Sequence, residues 1–199
     1  MVDTKKSYVT EVGTLVWPAL NTPDDYRGQN KYKAYLEVSA KEADRLRKIF
    51  QPILEEYAAS EGVEELNSLP ISPVKDKDGY FVIRTKMNAE YKDKKTKEIR
   101  YMRPKLLDSD LQRIPHTTII SGGSRARVNF TVWPYTMTET IKGEDGEKRT
   151  ERVAGLSFRL QGVQIKELVQ YSGGDTLGFE ADPDGYTADF PEDGGDADY

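Results

Sequence analysis

The 199-residue chain contains no cysteine. That excludes disulfide frameworks, cysteine-ligated zinc and thiol catalysis. A single histidine, His116, leaves both a histidine-based metal site and a catalytic triad poorly supplied. No apolar run approaches the roughly 20 residues that a membrane helix needs. The polar segment Met1–Lys6 is not followed by an apolar stretch that would serve as a signal peptide. The expectation is a soluble cytoplasmic protein with no membrane contact. Ser121-Gly122-Gly123-Ser124 is glycine-rich but lacks the Gly-Lys-Ser/Thr ending of a phosphate loop, and reads as a turn into the strand that follows. Asp24-Asp25 and Asp108-Ser109-Asp110 are acidic loop pairs of the kind that are usually just solvated. No acid/base pair or nucleophile–base pair stands out. Neither an enzyme nor a bound cofactor or metal is therefore expected.

Charge is plentiful but unevenly placed. Charged residues make up 32% of the chain and aromatics 10%, the latter arguing against wholesale disorder. From Gly173 to Tyr199 there are nine acids (Asp175, Glu180, Asp182, Asp184, Asp189, Glu192, Asp193, Asp196, Asp198) and no Lys or Arg. Residues 1–172 then carry the other 25 acids against all 29 bases, a surplus of four positive charges. A mildly cationic body with an anionic tail is common among nucleic-acid binders, and equally describes an ordinary domain with a solubilising tail. The Gly- and Pro-containing tail reads as disordered. The expected division is a folded domain over 1–172 and a flexible acidic tail over 173–199.

The body reads mainly as strands: Tyr8–Trp17, Lys31–Val38, Tyr80–Asn88, Lys97–Arg103, Arg125–Met137 and Val153–Leu168. Asp78-Gly79 signals a turn, and Gly143-Glu144-Asp145-Gly146 the tip of a long hairpin. One helix, over about 39–61, interrupts them. Ser39-Ala40-Lys41-Glu42 is a capping box, in which each side chain satisfies a free backbone N–H. Ala43, Leu46, Ile49, Phe50, Ile53, Leu54 and Tyr57 follow at helical spacing, a stripe expected to pack on the core. Pro52 should kink this helix or divide it. In the last strand the apolar parity switches at Gln161-Gly162, which predicts a β-bulge. Five or six strands, one of them strongly bent, with one inserted helix describe an OB-fold, a five-stranded Greek-key barrel.

The faces of the strands carry the functional reading. Alternate side chains of a strand point to opposite sides. Over Arg125–Tyr135 one face is Ala126, Val128, Phe130, Val132, Pro134; the other is Arg125, Arg127, Asn129, Thr131, Trp133, Tyr135. Tyr80, Val82, Arg84 and Lys86 oppose Phe81, Ile83, Thr85 and Met87. Lys31, Lys33, Tyr35 and Glu37 oppose Tyr32, Ala34, Leu36 and Val38. Three strands thus each set two bases and at least one aromatic on the face away from the core. A basic, Tyr-flanked hairpin over Tyr91–Arg103 lies between them. Cations neutralise phosphates and release counterions; flat rings stack on unpaired bases for about 1–3 kcal/mol each, whatever the sequence. The stacking candidates are Tyr35, Tyr80, Trp133 and Tyr135, and the phosphate candidates Lys31, Lys33, Arg84, Lys86, Arg100, Arg125 and Arg127. Trp17 and Tyr101 are further candidates of ambiguous parity. The competing view of Trp133 and Tyr135 is a satellite core under a loop.

Gly123-Ser124-Arg125-Ala126-Arg127-Val128-Asn129-Phe130-Thr131-Val132-Trp133-Pro134-Tyr135 and Gly155-Leu156-Ser157-Phe158-Arg159-Leu160-Gln161-Gly162-Val163-Gln164-Ile165 together resemble the C-terminal half of bacteriophage single-stranded-DNA-binding proteins. Gly13–Val38, with its Trp-Pro, Pro-Asp-Asp and Lys-Tyr-Lys elements, resembles the opening strands of that family, and the acidic tail ending in Tyr199 is similar to the tails of single-strand-binding proteins. The resemblance covers about two-thirds of the chain; residues Gly62–Asp78 match nothing in it, and Tyr199 stands where Phe is usual. It implies an OB-fold protein that coats single strands in phage replication, recombination and repair, in the host cytoplasm. Its tail would recruit replication proteins such as a DNA polymerase or helicase, or compete with DNA for the groove. Two other readings stay open: a virion structural or assembly barrel, and a metal-dependent nuclease built on the loop acids.

Overall fold

In the computed structural model, residues 3–26, 28–75, 77–93, 95–142 and 148–170 are described. The elements run β1 (Ser7–Val9), β2 (Gly13–Tyr26), β3 (Gln29–Ser39), α1 (Ala40–Glu61), β4 (Glu65–Leu66), β5 (Ile71–Pro73), β6 (Tyr80–Asn88), β7 (Glu90–Lys92), β8 (Ile99–Tyr101), β9 (Lys105–Leu107), β10 (Arg125–Lys142) and β11 (Lys148–Glu167). The expected hairpin tip at Gly143–Gly146 and the acidic tail from Gly173 lie outside the described residues.

Five strands close on one another. β10 pairs β2, β2 pairs β3, β3 pairs β6, β6 meets β11 and β11 pairs β10. All are antiparallel except β6–β11, which is parallel and places Arg159 opposite Lys86. A closed five-stranded barrel with one inserted helix is the OB-fold that the strand pattern predicts. The inward parities hold: Ala34, Leu36, Ile83, Ala126, Val128, Phe130 and Leu160 are all buried. Helix α1 lies against the barrel with Leu46, Phe50, Leu54 and Ala58 buried at four-residue spacing. The Phe50 ring centre sits 4.9 Å from that of Phe158 and 4.8 Å from that of Tyr8. The stripe is core, as its period implies.

The predicted bulge is present. Asn129 lies opposite Gly162 and Phe130 opposite Leu160, so Gln161 is the extra residue. Glycine is required beside it, because a Cβ at Gly162 would stand 2.8 Å from the Lys105 carbonyl oxygen of the neighbouring β9.

Three local expectations are corrected. Pro52 does not divide α1, which runs unbroken over 22 residues; Pro52 faces solvent, while buried residues on both sides hold the two halves to one core. The strand expected over Tyr8–Trp17 is two strands, because β1 pairs with β10 while β2 pairs with β3. Thr10 lies in the break, its backbone N–H donating to Val128 O and its hydroxyl accepting from Val128 N–H. The capping box is half made. Ser39 Oγ accepts from Glu42 N–H at 3.5 Å, but the buried Glu42 carboxylate accepts from Glu11 N–H at 3.0 Å and from Arg45 at 2.6 and 2.7 Å. Ser39 is already in the β3–β6 ladder opposite Tyr80, so Glu42 is free to tie the helix start to the chain leaving β1.

Candidate nucleic-acid interface

The register of the barrel decides which outward residues meet. On β3 and β6, Tyr35 lies opposite Arg84 and Lys33 opposite Lys86. Lys86 in turn lies opposite Arg159 on β11, and Arg159 opposite Thr131 on β10, two residues before Trp133. Tyr35, Lys33, Arg84, Lys86 and Trp133 are thereby brought onto one face spanning four adjacent strands. Three interstrand spacings of about 4.8 Å make that face roughly 15 Å wide.

Each of two rings on this face, the exposed Trp133 and the half-buried Tyr35, carries a cation. The Arg159 guanidinium lies 3.8 Å from the Trp133 ring centre, and Lys86 Nζ lies 5.9 Å from that of Tyr35. Trp133 is 42% exposed, which answers the competing satellite-core view for this ring. Partial burial lowers the pKa of Arg159, yet a guanidinium stays charged at any physiological pH. Arg84 donates to Ser72 Oγ at 2.8 Å, which fixes its position on the face. A shallow groove of about 260 Å³, lined by Arg84, Lys86, Tyr135, Ser157 and Asn67, runs alongside.

Tyr135 is placed differently from Trp133. It is half-buried, and its ring lies over Gly155, where a Cβ would stand 2.4 Å from Tyr135 Cζ. Its hydroxyl accepts from Asn67 Nδ2 at 3.4 Å, and burial raises its pKa. Tyr135 is a wall of the groove rather than an open platform.

The other candidates lie apart. Tyr80 is at the far end of β6, opposite Ser39, with Lys77 Nζ 4.1 Å from its ring centre. Lys31 is half-buried, opposite Asp24 on β2 and Asn88 on β6. Arg100 is on the separate β7–β8 hairpin, 3.6 Å from Asp93. Arg125 starts β10, opposite Thr14 on β2 and 3.9 Å from Glu167. Arg127 lies in a second cleft of about 500 Å³ between β1 and β9, with Lys5, Lys105, Asn129 and Gln161. Among the described residues no group of three potential ligands is placed to hold a metal. Asp108 Oδ1 instead accepts from the backbone N–H groups of Asp110 and Gln112.

Arg159 is the residue that face reading overlooked. Its signal was present: Leu156, Phe158 and Leu160 share the core parity, which sends Ser157, Arg159 and Gln161 outward. Lys5 and Lys105 had no such signal, because Lys5 precedes and Lys105 opens a strand of only three residues.

A closed five-stranded barrel bearing rings and cations on one face defines an OB-fold of the oligonucleotide-binding type. Comparison with known proteins narrows this. Residues 67–145 match the family described as single-stranded DNA-binding protein, bacteriophage T7. Over 211 residues the chain is 26% identical to the single-stranded DNA-binding protein of Enterobacteria phage T3, covering 92% of this chain and 86% of that one. The single-stranded DNA-binding protein of Escherichia phage T7 is 24% identical over 210 residues, with the same coverage. The crystal structure of gp2.5, a single-stranded DNA binding protein encoded by bacteriophage T7, shares the fold with a TM-score of 0.60 at 24% identity, covering 92% of this chain and 99% of that one. The single-stranded DNA-binding protein of bacteriophage Enc34, solved in complex with ssDNA, shares it with a TM-score of 0.53 at 17% identity, covering 83% and 89%. The chain is similar to the bacteriophage single-stranded-DNA-binding proteins, and the resemblance read from its sequence is borne out. These relatives are named for binding and not for catalysis, in agreement with the expectation that the chain is not an enzyme.

Proposed function

We propose that this protein binds single-stranded DNA, without reading its sequence, across the face formed by β3, β6, β11 and β10. The observation that carries the reading is the pairing of two outward rings with cations, the exposed Trp133 with Arg159 and the half-buried Tyr35 with Lys86, joined by the register of Lys86 with Arg159. Rings stack on unpaired bases while the cations hold the phosphates between them. Duplex DNA offers few free base faces to such a surface. Kinship with proteins named for single-stranded DNA binding supports the same substrate. The test is titration with oligo-dT at two salt concentrations. A binder shows saturable binding and a steep salt slope. A virion structural protein shows neither, and a nuclease degrades the oligonucleotide when Mg²⁺ is added.

The biological setting is host cytoplasm, where the protein coats and protects single strands during phage replication, recombination and repair. The nine acids from Gly173 to Tyr199 have the sign of a nucleic acid. They serve to occupy the cationic face when DNA is absent, or to recruit a polymerase or helicase. Deleting 173–199 should tighten oligo-dT binding at low salt; unchanged affinity would refute the competition.

A further inference from the structure

The barrel has a further exposed aromatic position, on β2. Trp17 is 85% exposed, more than Trp133 at 42%, although its odd parity with the buried Leu15 would send it into the core. The backbone turns it out: Trp17 has φ of 48°, in the left-handed region. A bulky residue is rarely found there, and strain of this kind gathers at functional positions. The β2–β3 register is interrupted at the same point, between Val16 and Ala19. Trp17 stands at the rim of a hollow of about 580 Å³, floored by Val16, Pro18, Ile120, Gly122 and Gly123.

This hollow adjoins the candidate interface. Val16, in its floor, lies opposite Tyr35 on β3. Thr14, on the other side, lies opposite Arg125 on β10. A flat ring at the rim of an apolar hollow, between an aromatic of the face and a guanidinium, suits an unpaired base whose phosphate reaches Arg125.

We propose that Trp17 and the β2 hollow form a separate base-stacking subsite, which lengthens the single-strand track beyond Tyr35. The proposal rests on the single-stranded-DNA reading above. Its consequence is length dependence: a short strand held between Trp133 and Tyr35 never reaches Trp17, and a longer one does.

The test compares full-length protein with Trp17→Gly and Gly122→Leu, using fluorescein-labelled oligo-dT of about 5 and about 16 nucleotides, near the limits of an OB-fold site. Glycine accepts the left-handed backbone at position 17, so Trp17→Gly should melt no lower than wild type. A Cβ at Gly122 makes only ordinary contacts of 3.7–3.9 Å, so Gly122→Leu fills the hollow and keeps the ring. Both variants should weaken binding of the long oligonucleotide by about 5- to 150-fold, the equivalent of one lost stack, and leave the short one unchanged. Trp17→Phe should restore most of the loss. Equal long-strand affinity in Trp17→Gly and wild type, with Trp133→Ala still impaired, overturns the subsite and leaves the face intact. Wild-type protein that binds neither oligonucleotide removes both.

Discussion

Replacing Trp133 by Ala separates stacking from charge on the proposed face. The ring is 42% exposed and on the outward side of β10, so its removal leaves no core cavity and the melting temperature should barely move. Two contributions to binding disappear. One is a base stack of about 1–3 kcal/mol, or roughly 5- to 150-fold in Kd. The other is the platform beneath Arg159, 3.8 Å away, an exposed cation–π contact of about 0.5–1 kcal/mol. The salt slope should not change, because no charge is lost. Four cations share the face, Lys33, Arg84, Lys86 and Arg159, but Lys33 is ion-paired with Asp24. At about 0.7 per phosphate for a single strand, the other three give a slope near −2.1, a fall of roughly 20-fold between 50 and 200 mM salt. Anisotropy of labelled oligo-dT at several salt concentrations yields the affinity and the slope together. Wild-type affinity in a folded Trp133→Ala protein would refute the stacking role. A flattened slope would show instead that the ring acts only by holding Arg159.

The complementary substitutions act on the slope. Lys86→Gln with Arg159→Gln should flatten it by about 1.4, two phosphates' worth, with the fold intact; a slope within error of wild type would remove that pair from the track. Gly155→Ala should lower stability by about 1–3 kcal/mol, as overpacking does, because its Cβ would stand 2.4 Å from the Tyr135 ring. Adding Tyr135→Ala to that variant should recover most of the loss, read as melting temperature. His116 is held below its ordinary pKa by burial and by Arg103, and its buried Nδ1 has no hydrogen-bond partner. The unfolded chain therefore binds the proton more readily. Stability is full above about pH 6.5 and falls as pH drops below that value toward the folded pKa. His116→Gln should flatten this loss in denaturant midpoints measured from pH 7.5 to 5; an unchanged profile would refute it.

The alternation of ring, base and apolar residue was legible because side-chain direction in a strand is a local property of period two. It was enough to place Tyr35, Arg84, Lys86 and Trp133 outward, and to put Ala126, Val128 and Phe130 in the core. The bulge at Gln161 was legible for the same reason, as a break in that period. The capping serine and the core stripe of α1 were local too. Where a side chain's fate depended on a distant partner, pattern alone fell short. Trp133 and Tyr135 have the same parity, but one stands open beneath Arg159 while the other lies over Gly155.

What the sequence determined by itself, then, was the class of barrel, the sign of each strand face and the likeness to phage single-strand-binding proteins. Only the tertiary structure decided which cations meet which rings. Arg159 and Lys86 are far apart in the chain and become neighbours solely through the parallel closure of β6 on β11. Trp17 faces outward because its backbone enters the left-handed region, which its parity in β2 does not foretell. Register and backbone hand are set by the packing of the whole barrel, and no window of sequence contains them.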